Sequence, residues 1–243
     1  MNTKNPAQFL LKLLCLAVIV ALWTWQAGHA FSLPASLGLL VGTVLLYFPL
    51  CYLGRKMLDA HPTAERAAQV DAIIHFPLVY LLGAAIIEAF KIGLHNAAPI
   101  PGDPVIPLPS QLGLVLFIVT GAVGVSAVAT LALRGLGAPF AIALSQRLAL
   151  DWLYAWTRNP MVLGTLLALV SMGLMFRSLF LVLWALLVAS ALIFMLKVYE
   201  ERELELRFGA SYLDYKRRTP FLWPRKPRAI PGVTGAGGEI QHD

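Results

Sequence analysis

Met161 to Val198 reads MVLGTLLALVSMGLMFRSLFLVLWALLVASALIFMLKV, two apolar runs broken only by Arg177 and Ser178. Each run approaches the roughly 20 residues that a helix needs to cross a hydrocarbon layer, and each is too long for a buried strand. A two-residue break leaves room only for a tight turn. The pair is therefore predicted to be a helical hairpin that enters a bilayer and returns to the side it left.

Working outward, similar runs lie at Phe9 to Ala27, Leu33 to Leu53, Ala72 to Ile92 and Leu112 to Leu133, each followed by a polar break. With Met161 to Phe176 and Leu179 to Val198 they make about six expected transmembrane helices. The fold class is all-α membrane, with a C-terminal helical hairpin and cytoplasmic segments beside it. The chain is 58% hydrophobic and 13% charged, where a soluble domain carries roughly a quarter charged residues. The first run could be read as a cleaved leader, but its length, Trp23 and Trp25 at its far end and the span that follows at once favour a retained helix.

Orientation follows from the cations. Lys4 and Lys12 precede the first span, Arg55, Lys56 and Arg66 follow the second, and Arg134, Arg147 and Arg158 follow the fourth. The alternate loops hold little beyond Lys91 and Arg177. The positive-inside rule then places both termini in the cytoplasm of a multi-pass integral membrane protein. The loop His95 to Ser110 carries Pro99, Pro101, Pro104, Pro107 and Pro109 and is expected to be an extended spacer.

Eight of the 19 Lys and Arg residues follow Val198, a charge that suits an anionic leaflet. No nucleic-acid motif accompanies it. Cys15 and Cys51 have no ligand-like spacing, so neither a disulfide nor a metal site is expected. Three regions are expected: a four-span membrane region over 1–135, a core with the hairpin over 136–228, and a flexible Gly-rich tail over 229–243.

Chemistry concentrates where the hairpin begins and ends. Its first helix is approached and opened by Gln146-Arg147-Leu148-Ala149, Tyr154, Trp156, Arg158-Asn159-Pro160-Met161-Val162 and Gly164. The second leaves through Leu196-Lys197-Val198-Tyr199-Glu200-Glu201, then Phe208-Gly209, Tyr212, Tyr215 and Pro220. The tight turn returns both ends to one boundary, so Arg158-Asn159 and Glu200-Glu201 are expected to converge. Pro160 fits the first turn of a helix, whose free N–H groups make a small positive pole. Taken singly these features have plainer readings. An acidic run such as Glu200 to Glu205 is usually a solvated face with pairs such as Glu203 to Arg207, and Arg158 beside Trp152 and Trp156 is usually an interfacial anchor.

Jointly, the order and spacing resemble the superfamily of membrane methyltransferases that contains isoprenylcysteine carboxyl methyltransferase and phosphatidylethanolamine N-methyltransferase. The residues that carry the resemblance are Tyr154, Arg158, Pro160, Gly164, Glu200-Glu201, Phe208-Gly209, Tyr212, Tyr215 and Pro220. Asn159 stands where the carboxyl methyltransferases have His, and Val162 where they have a second Tyr. Asn-Pro-Met with a Tyr-Glu-Glu exit looks more like the phospholipid branch.

The resemblance implies an S-adenosylmethionine-dependent methyltransferase with a lipid-like or small-molecule acceptor. It implies cofactor contacts from Gln146, Arg147, Leu148, Ala149, Tyr154, Arg158, Asn159, Pro160, Met161, Val162, Gly164, Glu200 and Glu201. Asn159 and nearby N–H groups would take the cofactor carboxylate and Glu200 its ammonium or ribose. The family's carboxylate-binding Arg would fall at Leu196, with Lys197 the nearest cation, so a lipid amine or small thiol is favoured over a prenylated carboxylate. Leu196, Lys197 and His75 are the substrate-side candidates, and no catalytic residue is assigned. In the third span His75 lies near one end, while Glu88 and Lys91, three apart near the other, are placed to pair. The competing readings are an isoprenylcysteine-type carboxyl methyltransferase, a sterol-reductase-like enzyme using NADPH, and a transporter or scaffold.

Overall fold

The structure is a computed structural model, and it describes residues 6–95, 102–134 and 148–226. Its helices are α1 (Pro6–Gly28), α2 (Leu33–Ala60), α3 (Ala64–His95), α4 (Ser110–Arg134), a single turn α5 (Leu153–Trp156), α6 (Pro160–Met175), α7 (Leu179–Met195), α8 (Glu201–Phe208) and α9 (Ala210–Arg218). A π-helical turn, Leu196–Glu200, joins α7 to α8 without a break. The fold is all-α, as the apolar runs require. Among the described residues five helices are long and apolar enough to cross a membrane: Leu10–Gly28, Leu33–Ala60, Ala64–Leu94, Ser110–Leu133 and Leu179–Phe208. The sixth expected span is the shorter α6, of 16 residues.

Apolar side chains are exposed around the rim of the bundle, among them Leu14, Leu45, Ile118 and Leu183. This suits a lipid solvent, which satisfies no backbone group but accepts any apolar surface. The core lies between α2, α3 and α7, where Leu40, Val44, Cys51, Ile74, Leu78, Leu181, Val188 and Leu192 are buried together. Tyr47 donates to the Leu78 carbonyl at 2.6 Å. That carbonyl follows Pro77, one of two prolines inside the long helices.

Helix α6 is short but well seated, because it meets α4 backbone to backbone. A Cβ added at Gly164 would lie 2.6 Å from the Gly124 nitrogen, and one at Gly113 would lie 2.2 Å from the Met175 nitrogen. Small residues that let backbones touch are the usual means of packing helices in lipid. The two contacts lie near opposite ends of α6, so it runs beside α4 along its whole length.

The hairpin turn is built as expected, with one addition. Arg177 adopts a positive φ of 56° at the end of α6, and the Ser178 N–H reaches back to the Gly173 carbonyl at 3.0 Å. Ser178 then caps α7, accepting from the Leu181 N–H at 3.1 Å. The addition is Asp103, which accepts from Ser178 Oγ at 2.5 Å and from the Phe180 N–H at 2.9 Å. The Ile106 N–H also donates to the Arg177 carbonyl at 3.0 Å, and Arg177 Nε donates to the Ile106 carbonyl at 3.1 Å. The described part of the Pro-rich loop is therefore extended, yet it clamps the turn rather than merely spanning a gap. Pro99 and Pro101 lie outside the described residues.

At that same end α1 is held to α3 by polar contacts. Trp23 donates to the Tyr80 carbonyl at 3.1 Å and Gln26 to the Ala84 carbonyl at 2.8 Å. Glu88, with its side chain 2% exposed, accepts from Ser36 at 2.5 Å, Lys91 at 3.0 Å and Gln26 at 3.3 Å. The expected Glu88 to Lys91 pair forms, as one part of a wider network.

Candidate functional site

The approach to α6 is an irregular segment fixed from both sides. Trp152 opens α5 at a positive φ of 54°, and Thr157 is extended, with φ −149° and ψ 147°. Asn159 precedes α6 and Pro160 is its first residue, where a missing N–H costs nothing. Asn159 places no side-chain acceptor on the first turn of α6. Its amide instead donates to the Phe221 carbonyl at 2.8 Å.

The partner of this segment is a strap over residues 219–226 that follows α9. Arg158 N–H donates to the Pro220 carbonyl at 2.9 Å, Thr157 Oγ1 to the Leu222 carbonyl at 2.9 Å, and Arg225 N–H to the Trp156 carbonyl at 3.1 Å. Tyr215 donates to the Tyr154 carbonyl at 2.7 Å. Burial raises the pKa of Tyr154, and the nearby Glu200 carboxylate adds to the rise. Burial and then Glu201 raise that of Tyr212 against an opposing pull from Arg158. These phenols remain neutral hydrogen-bonding groups at any physiological pH.

The convergence expected from the tight turn is present. Arg158 Nη1 lies 2.9 Å from Glu201 Oε1, with the two side chains 9% and 14% exposed. The approach is off the N–H direction, and among the described residues the buried Arg158 Nε has no hydrogen-bond partner. Lys216 completes the other side of Glu201, at 2.6 Å, and also binds Glu205 at 3.0 Å. Burial opposes its charge, but these hydrogen bonds outweigh that and raise its pKa.

Glu200 differs from its neighbour. It is half-buried, and among the described residues no hydrogen bond or ion pair reaches its carboxylate. The groups that act on it are the carboxylates of Glu203, Asp71 and Glu201. Glu203 is buried and tied to Arg207 at 2.5 Å, the pair expected on a helix face. Asp71 reaches in from α3, with Oδ1 3.5 Å from the Tyr199 hydroxyl and 3.7 Å from His75 Nδ1. One carboxylate is thus left facing like charge, an arrangement that a cationic ligand would relieve.

The structure gathers some of the expected residues and sets others in packing roles. Tyr154, Arg158, Asn159, Glu200 and Glu201 share one end of the bundle. Ala149 packs with Tyr154 and Ala127, with Met161 against them, while Val162 and Pro160 are buried. Leu148 is half-buried. Gly164 is spent on the contact with Gly124. Leu196 is 1% exposed in the core, while Lys197 is turned outward with Nζ 5.2 Å from the centre of the Phe221 ring. His75 is partly exposed and lies beside Asp71. Gln146 and Arg147 lie outside the described residues.

Sequence reasoning missed Asp71 and Phe221, and it gave Tyr199 and Thr157 no role of their own. Asp71 stands four residues before His75, a spacing that puts both on one helix face, and that was the available signal. The π-helical turn begins at Leu196, and such turns are single-residue offsets that gather at functional sites.

Residues 109–211 match the family model described as phospholipid methyltransferase. Methanethiol S-methyltransferase 2 of Bradyrhizobium diazoefficiens is 41% identical over 73 residues, which are 30% of this chain and 27% of that protein. The similarity thus spans about a quarter of that curated relative. No solved structure matches the chain.

Proposed function

We propose, from the premise that residues 109–211 belong to the superfamily of phospholipid and isoprenylcysteine membrane methyltransferases, that this chain is an integral membrane methyltransferase using S-adenosylmethionine. The observation that carries the proposal is Glu200, a half-buried carboxylate at the end of an apolar helix, with like charges around it and no partner among the described residues. The cofactor, when bound, supplies a methyl group on a sulfonium, together with an ammonium and a carboxylate.

The residues present fit that inventory. Glu200 accepts from a cationic or hydroxyl group. The uncapped first turn of α6 and the orphaned Arg158 Nε offer donors to a carboxylate. Tyr154 and Phe221 provide aromatic walls close by. Methyl transfer is an in-line displacement, so the protein's task is alignment and exclusion of water, and a dense hydrogen-bonded strap over the approach to α6 serves both.

For the acceptor we favour a lipid amine or a small thiol. Leu196 is withdrawn into the core, which supports the view that this chain lacks a buried cation at the carboxylate-binding position. The relative named for methanethiol supports the thiol arm. We place both termini in the cytoplasm, with α6 counted as a sixth crossing, and we draw the core over residues 136–228, against which α4 packs through bare backbone.

The test is transfer of a labelled methyl group from S-adenosylmethionine by the purified chain in detergent, with phosphatidylethanolamine, methanethiol and a farnesylcysteine analogue in competition. Label should pass to the amine or the thiol first. Preference for farnesylcysteine would overturn the acceptor reading, and no transfer to any of the three, with NADPH bound instead, would overturn the enzyme class.

A further inference from the structure

The cations that follow the hairpin fall into two groups. On α8 and α9 they are paired with carboxylates: Arg202 with Asp59, Arg207 with Glu203, Lys216 with Glu201 and Glu205, and Arg217 and Arg218 with the one carboxylate of Asp214. Along the strap and beside it they are not. Lys197, Arg225 and Lys226 are exposed, and among the described residues no ion pair joins any of them to a carboxylate.

Large aromatics surround these cations. Trp223 is 69% exposed and Trp156 is 47% exposed. The two regions are tied, because Arg225 N–H donates to the Trp156 carbonyl and Lys197 lies over the ring of Phe221. Exposed tryptophans beside unpaired cations at the end of an apolar helix are poorly suited to water alone. A ring that sits at headgroup depth and a cation that meets a lipid phosphate satisfy both.

We propose that Lys197, Arg225 and Lys226, with Trp156 and Trp223, form a binding surface for the headgroup of an anionic phospholipid in the leaflet at that end of the bundle, and that its occupancy strengthens cofactor binding. The coupling runs through the strap. The carbonyls of Pro220, Phe221 and Leu222 accept from Arg158, Asn159 and Thr157, so a lipid that fixes the strap also fixes the approach to α6. By linkage each ligand then favours the other equally. This second half rests on the methyltransferase reading, whereas the lipid surface does not.

The experiment uses the full chain in nanodiscs of phosphatidylcholine with and without phosphatidylglycerol, beside the triple variant K197Q/R225Q/K226Q. Native mass spectrometry should show wild type retaining phosphatidylglycerol over phosphatidylcholine, with the preference lost in the triple variant, at about fivefold per cation in low salt. S-adenosylmethionine should bind wild type several-fold more tightly when phosphatidylglycerol is present, and the triple variant equally in both discs. An unchanged thermal midpoint in the variant shows that its fold is intact. Equal lipid retention by wild type and variant would overturn the surface. Lipid preference without any effect on the cofactor would overturn the coupling. Should RNA displace the lipid at equal charge, the surface is a general polyanion site and the proposal fails. A wild type that prefers phosphatidylglycerol but binds no S-adenosylmethionine leaves the lipid surface standing and removes the methyltransferase reading.

Discussion

Two carboxylates mark opposite ends of the bundle. Glu88 and Asp71 are 17 positions apart on α3, about 25 Å at 1.5 Å per residue, and Glu200 sits at the Asp71 end. Glu88 is enclosed by Ser36, Gln26 and Lys91, all within hydrogen-bond distance. Glu200 is flanked by Glu203, Asp71 and Glu201 and is bound by none of them. A buried charge with its partners in place is part of the scaffold, whereas one left among like charges is placed for a partner that the described residues do not supply. The same residue type therefore serves structure at one end and binding at the other.

Breaking the satisfied end should cost most. Glu88→Ala removes the shared acceptor of a buried network, including the carboxylate that pairs with the Lys91 ammonium, for which about 3–5 kcal/mol is expected. The reading is the thermal unfolding midpoint in detergent, and an unchanged midpoint would mean that the network is not holding α1 and α2 to α3.

The next effect is steric. Gly164→Ala places a methyl 2.6 Å from the Gly124 nitrogen, where backbone rather than a pliable side chain must give way. A loss of about 1–3 kcal/mol is expected from overpacking. Chemical denaturation of this variant against Gly121→Ala, which meets open space, separates the close contact from the loss of a glycine.

Smaller again is Asn159→Ala, which removes the amide that binds the Phe221 carbonyl. About 1 kcal/mol should go from stability. Limited proteolysis should cut the strap faster, with the hairpin left intact. An unaltered cleavage rate would show that the bonds from Arg158, Thr157 and Arg225 hold the strap without it. The smallest effect belongs to Asp214→Ala on α9, whose side chain is 41% exposed. Its pairs with Arg217 and Arg218 are solvent-screened, and the thermal midpoint should shift by less than that for about 0.5 kcal/mol.

The contrast between the two ends also explains what could be read from the sequence. The hairpin was legible because a two-residue break between apolar runs permits only one connection, and the convergence of Arg158 with Glu201 followed from it. The pairing of Glu88 with Lys91 followed from helical spacing. The role of Gly164 did not, because a glycine in a motif looks the same whether it approaches a ligand or another helix. Nor did Asp71, since the third span was expected to begin at Ala72 and α3 instead begins at Ala64, which brings the carboxylate inside the helix. Position along an apolar run says where a residue lies in depth. Rotation about the helix, which the π-helical turn at Leu196 alters, decides which of Leu196 and Lys197 turns inward.

The most direct test is calorimetric titration of S-adenosylmethionine into the detergent-solubilised chain, without acceptor, for wild type and Glu200→Gln. Wild type should bind, and the variant should bind about 1–3 kcal/mol more weakly while unfolding at the same or a higher temperature, because the mutation removes a charge that no described residue satisfies and the ligand does. Equal affinity in the two proteins, or a variant that loses stability as Glu88→Ala does, would contradict the assignment of Glu200 as the ligand-facing carboxylate.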